Sequence, residues 1–175
     1  MASAPVVRRL HLADARDIAA LQALLESAPD YARRITGKDP QPSDAREVLT
    51  ALPPGLEIGR KLAIGLWCER TEALLGFADV LRGWPRPAVA HIGLLVVHGA
   101  HRGTGVGRAL HDVVVEQGLA WGEIDTLRLG IVATNATVAE PFWRSCGYAP
   151  TGEVKPYAAG TVTSSTAIWE RSLAP

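Results

Sequence analysis

The residues with the clearest chemical potential form the run His98-Gly99-Ala100-His101-Arg102-Gly103-Thr104-Gly105-Val106-Gly107-Arg108. The apolar segment Ile92 to Val97 leads into it and helical periodicity follows it, so a glycine-rich loop joins a buried strand to a helix. A turn of this kind binds anions. Successive backbone N–H groups face one concavity, and the helix start adds about half a positive charge. Glycine lets the backbone come close to phosphate oxygens. Arg102 and Arg108 bring full charges, and no carboxylate occurs from Leu94 through Leu110. The pattern GxxxxGK[ST] fails, because five residues after Gly99 stands Thr104 and five after Gly103 stands Arg108. The pattern GxGxxG fails too, because the third glycine after Gly103 and Gly105 would have to replace Arg108. The spacing that fits is Arg-x-x-Gly-x-Gly, on Arg102, Gly105 and Gly107.

The elements that must position this turn can be read along the chain. Val6, Val7 and Leu10 predict a short first strand. Asp14 then caps a helix whose Ile18, Leu21, Leu24 and Leu25 share one face, and Pro29 ends it. Asp30 to Ser43 reads as a turn-rich stretch, and a second helix runs from Ser43 or Asp44 to Leu52. Three strands follow, Lys61–Glu69, Ala73–Leu81 and Ala88–Val97, the first two as a hairpin. After the turn come a helix to Trp121, a strand at Leu127–Val132 and a helix at Thr137–Cys146. A closing pair of strands lies at Tyr148–Val154 and Val162–Trp169. Thr137 and Glu140 have capping-box spacing, which places Pro141 late in the first turn of that helix. This order is α/β around a mixed sheet.

Composition bounds the rest. The 175 residues suit a single domain, 1–175, with 47% hydrophobic and 21% charged residues. Lys plus Arg equals Asp plus Glu at 18 each, which argues against a general nucleic-acid binder and confines any anion site to a local patch. Cys68 and Cys146 stand apart, with no zinc-ligand spacing, so they read as reduced thiols in a cytoplasmic protein without a bound metal. No apolar run is long enough to span a bilayer.

The Arg102–Gly107 turn, the strand Ile92–Val97 before it and the later residues Asn135, Ala139, Phe142, Trp143, Gly147 and Tyr148 together resemble the GNAT superfamily of N-acetyltransferases. The resemblance is strongest from Ala88 to Tyr148. It implies a three-layer fold, with helices on both faces of a mostly antiparallel mixed sheet and a splayed strand pair for coenzyme A. It implies acetyl-CoA as co-substrate and direct acetyl transfer to an amine of a small molecule or peptide. The pyrophosphate would sit on the N–H groups of Gly103, Thr104, Gly105, Val106, Gly107 and Arg108, beside Arg102. The pantetheine arm would pair like a strand with Leu95, Val96 and Val97, near Asn135, Phe142 and Trp143. A backbone N–H there would stabilise the oxyanion. Family members are often homodimers.

The resemblance also directs attention to a base, because only a neutral amine attacks. Some members carry Glu eleven residues before the motif arginine, and here that position is His91. In a regular strand His91 shares a face with Gly93, Leu95 and Val97. Asp79 is the second candidate. Many members use a Tyr to protonate the leaving thiolate, and its position here is Trp143, whose indole is not a useful acid. Tyr148 and Tyr157 are the alternative phenols. Asn135 stands four residues before Ala139, one more than the usual family spacing. The acceptor side would draw on Tyr31, the Pro40–Pro42 loop, Trp67, Trp84, Lys155 and Tyr157. No acidic cluster stands out along the sequence. The missing Tyr keeps open a second function: an acyl-CoA-binding sensor or scaffold without catalysis.

Overall fold

The computed structural model describes residues 5–174. Its strands form one seven-stranded sheet. They are β1 (Pro5–Arg9), β2 (Lys61–Cys68), β3 (Leu74–Arg82), β4 (Val89–Val97), β5 (Thr126–Val132), β6 (Ala149–Ala159) and β7 (Val162–Ser172), in the order β1-β2-β3-β4-β5-β7-β6. Among the described residues only β4 and β5 run parallel. The mixed, mostly antiparallel sheet expected from the sequence is present.

Helices cover both faces. On one side α1 (Ala15–Glu26) and α3 (Asp44–Thr50) pack Leu21, Leu24, Ala45 and Leu49 against Phe77 and Val96. On the other, α4 (Val106–Trp121) and α5 (Ala136–Ser145) pack Leu110, Val114 and Trp143 against Val80, Ile92 and Leu129. The apolar stripe of each helix is what the sheet requires for burial of its own alternating apolar residues.

Three expectations change. Asp30 to Ser43 is not all turn: Pro29 opens a helix, α2 (Pro29–Thr36), and Gly37 closes it in the left-handed conformation at φ 72°. Pro at the first helical position and Gly at the end are the signal for this helix, and both are legible in the chain. Second, α5 starts at Ala136 with Asn135 at its cap, so no capping box forms at Thr137 and Pro141 lies inside the helix. A short 3-10 turn, Ala133–Asn135, takes up the extra residue before it. Third, the last hairpin runs longer than expected and folds back over α2. Tyr157 donates to the Ile35 carbonyl at 2.9 Å, and the Thr161 N–H donates to Thr36 at 2.9 Å.

Candidate active site

The turn after β4 has the shape its residues predict. Gly103 and Gly105 hold left-handed backbone at φ 72° and 90°, which side-chain-bearing residues adopt at a cost. A Cβ at either position would meet nothing within 4 Å, so the space above the turn is open. Gly107 differs: a Cβ there would come into contact with Phe142 and Val97 at 3.4 Å.

The strands leave a gap. β4 pairs with β5 only from Val89 to Ile92, against Thr126 to Leu129, and the two separate beyond. The His98 N–H bonds to Leu75 on β3 at 2.8 Å. Backbone groups alternate in direction along a strand, so those of Leu95 and Val97 turn toward the gap and those of Val96 toward β3. A groove of about 620 Å³ runs from the turn into this gap. Its walls include Arg102, Gly103, Gly105, Gly107 and Arg108 at one end, Leu95, Val96 and Val97 along it, and Asn135, Phe142 and Trp143 opposite. Thr104 and Val106 do not line it. The Thr104 hydroxyl bonds to the His101 carbonyl, and Val106 packs into the core. Asn135 accepts a hydrogen bond from Arg34 Nε at 2.7 Å, which ties α2 to the groove wall. Arg102 sits 3.6 Å from Asp30 of α2, so the fold brings a carboxylate to a segment that has none in sequence. Arg108 donates to the Ser145 carbonyl at 2.8 Å.

A second cavity, of about 300 Å³, opens on the α1–α3 side. It shares Tyr31, Gly93, Leu94 and Val96 with the groove. The two meet at a β-bulge. Asp79 lies opposite Leu94 and Val80 opposite Ile92, which leaves Gly93 as the extra residue of β4. A Cβ at Gly93 would stand 2.8 Å from Asp79 Oδ2, so a side chain there would displace that carboxylate.

The bulge corrects the expected face of His91. Ala90 and Ile92 belong to the α4–α5 core, whereas after the bulge it is Leu95 that packs there. His91 therefore shares a face with Leu94 and Val96, not with Leu95 and Val97. It lines neither cavity. Arg128 Nη1 donates to its Nδ1 at 3.0 Å, and the Trp84 ring stands edge-on at 4.9 Å between centroids. Burial and the Arg128 charge pull its pKa down to about 3. With Nδ1 accepting from a guanidinium, the neutral ring must carry its proton on Nε2 and has no free lone pair.

Asp79 does line the second cavity. It is 7% exposed, and its Oδ1 lies 2.7 Å from the buried Lys61 Nζ. Burial raises its pKa, and the Lys61 charge opposes that rise. Tyr148 is buried away from both cavities. Its hydroxyl shares a 3.1 Å hydrogen bond with His111 Nε2, and burial raises its pKa. His111 and Tyr148 both pack edge-on against Trp143, which fixes the indole in the groove wall. Tyr31 is the phenol that reaches both cavities. Burial, with Tyr157 nearby, pushes its pKa up to about 12, so it stays protonated.

Of the acceptor-side residues read from the sequence, Tyr31 and Pro40 line the second cavity. Trp67 is buried under Arg8, Trp84 packs beside His91, and Lys155 pairs with Glu153 on β6. Tyr157 acts on α2 from behind, through Ile35. The sequence reading missed α2 and the acidic walls supplied by α3, Asp44 and Glu47. Cys146 is buried, and burial raises its thiol pKa, as expected for an inert packing residue.

Comparison with known proteins agrees with this geometry. No curated protein matches the chain. Among solved structures, an acetyltransferase from Thermus thermophilus superposes with a TM-score of 0.70 at 20% identity, covering 98% of each chain. The ribosomal-protein-S18-alanine N-acetyltransferase from Escherichia coli gives 0.67 at 16% identity, covering 98% of this chain and 95% of its own. Nourseothricin acetyltransferase gives 0.66 at 18% identity, over 98% and 100%. At such identities these likenesses show a shared fold. The family model for "Acetyltransferase (GNAT) family" matches residues 21–148, a span that holds the glycine turn, the strand gap and the Asp79 bulge. With most of its length inside that match, the chain belongs to the GNAT family of acetyltransferases.

Proposed function

We propose that this acetyltransferase moves an acetyl group from acetyl-CoA to the primary amine of a small molecule or peptide. The junction at Gly93 carries the reading. There a groove with phosphate-binding character meets a separate cavity that presents a carboxylate.

The groove fits coenzyme A on its own features. Open space lies above two left-handed glycines, two arginines flank them, and Leu95 and Val97 turn backbone groups into an unfilled strand position. Gly103, Gly105, Gly107 and Arg108 would hold the pyrophosphate, beside Arg102, and Leu95 and Val97 the pantetheine. Phe142 and Trp143 would cover the arm, with Asn135 beside it. When bound, acetyl-CoA supplies an activated thioester carbonyl.

The protein's own groups then have defined tasks. Asp79 takes the proton from the acceptor ammonium and leaves a neutral nucleophile. Its raised pKa makes it a stronger base than an exposed carboxylate, and Lys61 holds it in place. An N–H of β4 facing the gap donates to the carbonyl oxygen as negative charge gathers there. His91 and Tyr148, the other two catalytic candidates, reach neither cavity, and Tyr148 backs the groove wall by packing on Trp143. Tyr31 is the phenol placed to donate to the leaving sulfur, the task that Trp143 cannot perform.

The Trp143 substitution also favours a second reading, a protein that binds acyl-CoA without catalysis. One experiment separates the two. Acetyl-CoA raises the melting temperature in both, but only the enzyme releases free thiol when a panel of amines is added. Stabilisation by ATP or NAD, with none by acetyl-CoA, would overturn both.

A further inference from the structure

The second cavity has walls of one chemical kind. Its floor is apolar, with Leu25, Ala28, Ile35 and Val48 among the lining residues. Its charged lining groups are the carboxylates Asp44, Glu47 and Asp79, and among the described residues no Arg, Lys or His lines it. Lys61 offsets Asp79 from behind. Asp44 and Glu47 each have one oxygen engaged at the start of α3. Asp44 Oδ2 accepts from the Gln41 N–H at 2.9 Å, and Glu47 Oε1 from the Ser43 hydroxyl at 2.6 Å. Among the described residues neither is paired with a cation. At about 300 Å³ the cavity is at the small end of the range for small-molecule sites.

We propose that the acceptor is a small cationic amine with an apolar body and no carboxylate or phosphate. The claim rests on the transferase reading and narrows it. The carboxylates draw in the ammonium, and the aliphatic wall buries the hydrocarbon part. An amino acid of the same side chain would bring a carboxylate into a space with acidic walls and no cation to pair with it. An anion buried without a partner is strongly disfavoured.

The test uses matched pairs that differ only by a carboxylate: phenethylamine against phenylalanine, tryptamine against tryptophan, and isoamylamine against leucine. Thiol release is followed at saturating acetyl-CoA. The expected result is a preference of about 100-fold in kcat/KM for each amine over its amino acid, the scale on which a pocket rejects a substrate that carries one extra polar group. Glu47→Lys, on the exposed rim, should raise the KM for phenethylamine about 5-fold through lost charge attraction, with kcat and the KM for acetyl-CoA unchanged. Equal rates, or faster turnover of the amino acids, would overturn the proposal and leave the transferase reading intact. Stabilisation by acetyl-CoA with no turnover of any pair would overturn the proposal as well. If acetyl-CoA fails to stabilise the protein at all, the reading beneath the proposal falls.

Discussion

The groove and the cavity meet at one glycine, yet they are built in opposite ways. The groove is made mostly from consecutive residues: strand, turn and helix start lie within Leu95 to Arg108, and α5 supplies the facing wall. The cavity is assembled from α1, α2, α3, β3 and β4, with no run of more than two consecutive residues from any of them. Binding a constant group such as pyrophosphate needs backbone N–H groups at fixed spacing, which a local sequence can encode. Recognising a particular acceptor needs side chains brought from separate helices, so its chemistry is written in tertiary structure.

The comparison predicts that substitutions on one side leave the other side's binding intact. The largest effect belongs to Asp79. Asp79→Asn should lower kcat/KM by about 10²- to 10⁴-fold, the usual contribution of a general base, while acetyl-CoA affinity stays within error. Steady-state kinetics beside a direct binding titration would show it, and a parallel loss of acetyl-CoA affinity would merge the two regions. The same group sets a pH limb. Its folded pKa is raised, so wild-type kcat/KM should fall with decreasing pH at values above the ordinary carboxylate range, as the base takes up its proton.

Next comes the turn. Gly105→Val forces a β-branched residue into φ 90° and fills the open space above the loop. A left-handed backbone costs a side-chain-bearing residue about 1–2 kcal/mol, so acetyl-CoA should bind about 10-fold more weakly, with the amine KM unaffected. Tyr31→Phe sharpens the contrast, because Tyr31 touches both spaces. Loss of one hydrogen bond, worth about 1 kcal/mol, should lower kcat about 5-fold and leave both binding constants nearly unchanged.

The smallest effect lies outside both ligand spaces, behind Trp143. His111 is buried beside Tyr148, and burial holds its pKa down to about 4. The unfolded chain takes up this proton first, so stability is lost as pH falls from the ordinary histidine value of 6.5 toward 4. His91, lowered to about 3, acts in the same direction. A His111→Gln variant should therefore show a shallower fall in melting temperature between pH 7 and about 4.5.

Much of this molecule was legible in its residues, and what was not has a physical cause. Arg102, Gly105 and Gly107 gave the turn, and the apolar run to Val97 gave the central strand, because backbone-directed binding leaves a local trace. Periodicity missed α2, whose residues are all exposed or half-buried. The face of His91 was misread because alternation holds only until a bulge, and Gly93, an isolated strand glycine, was its one sequence mark. Asp44, Glu47 and Asp79 could not be read as a group, because α3 and β3 meet only in the folded chain. Asp79 and His91 were the two candidate bases in the sequence, and the Arg128 hydrogen bond to His91 Nδ1 is why the proposed mechanism uses Asp79.

The central claim is that the two ligands occupy separate spaces that touch at Gly93. Backbone amide NMR tests it directly, with coenzyme A titrated first and phenethylamine second. Coenzyme A should shift the amides of Leu95, Val97, Gly103, Gly105 and Gly107, and the amine should then shift those of α2 and α3 with the turn unmoved. An amine that shifts the turn instead, or coenzyme A that shifts only α2 and α3, would contradict the account.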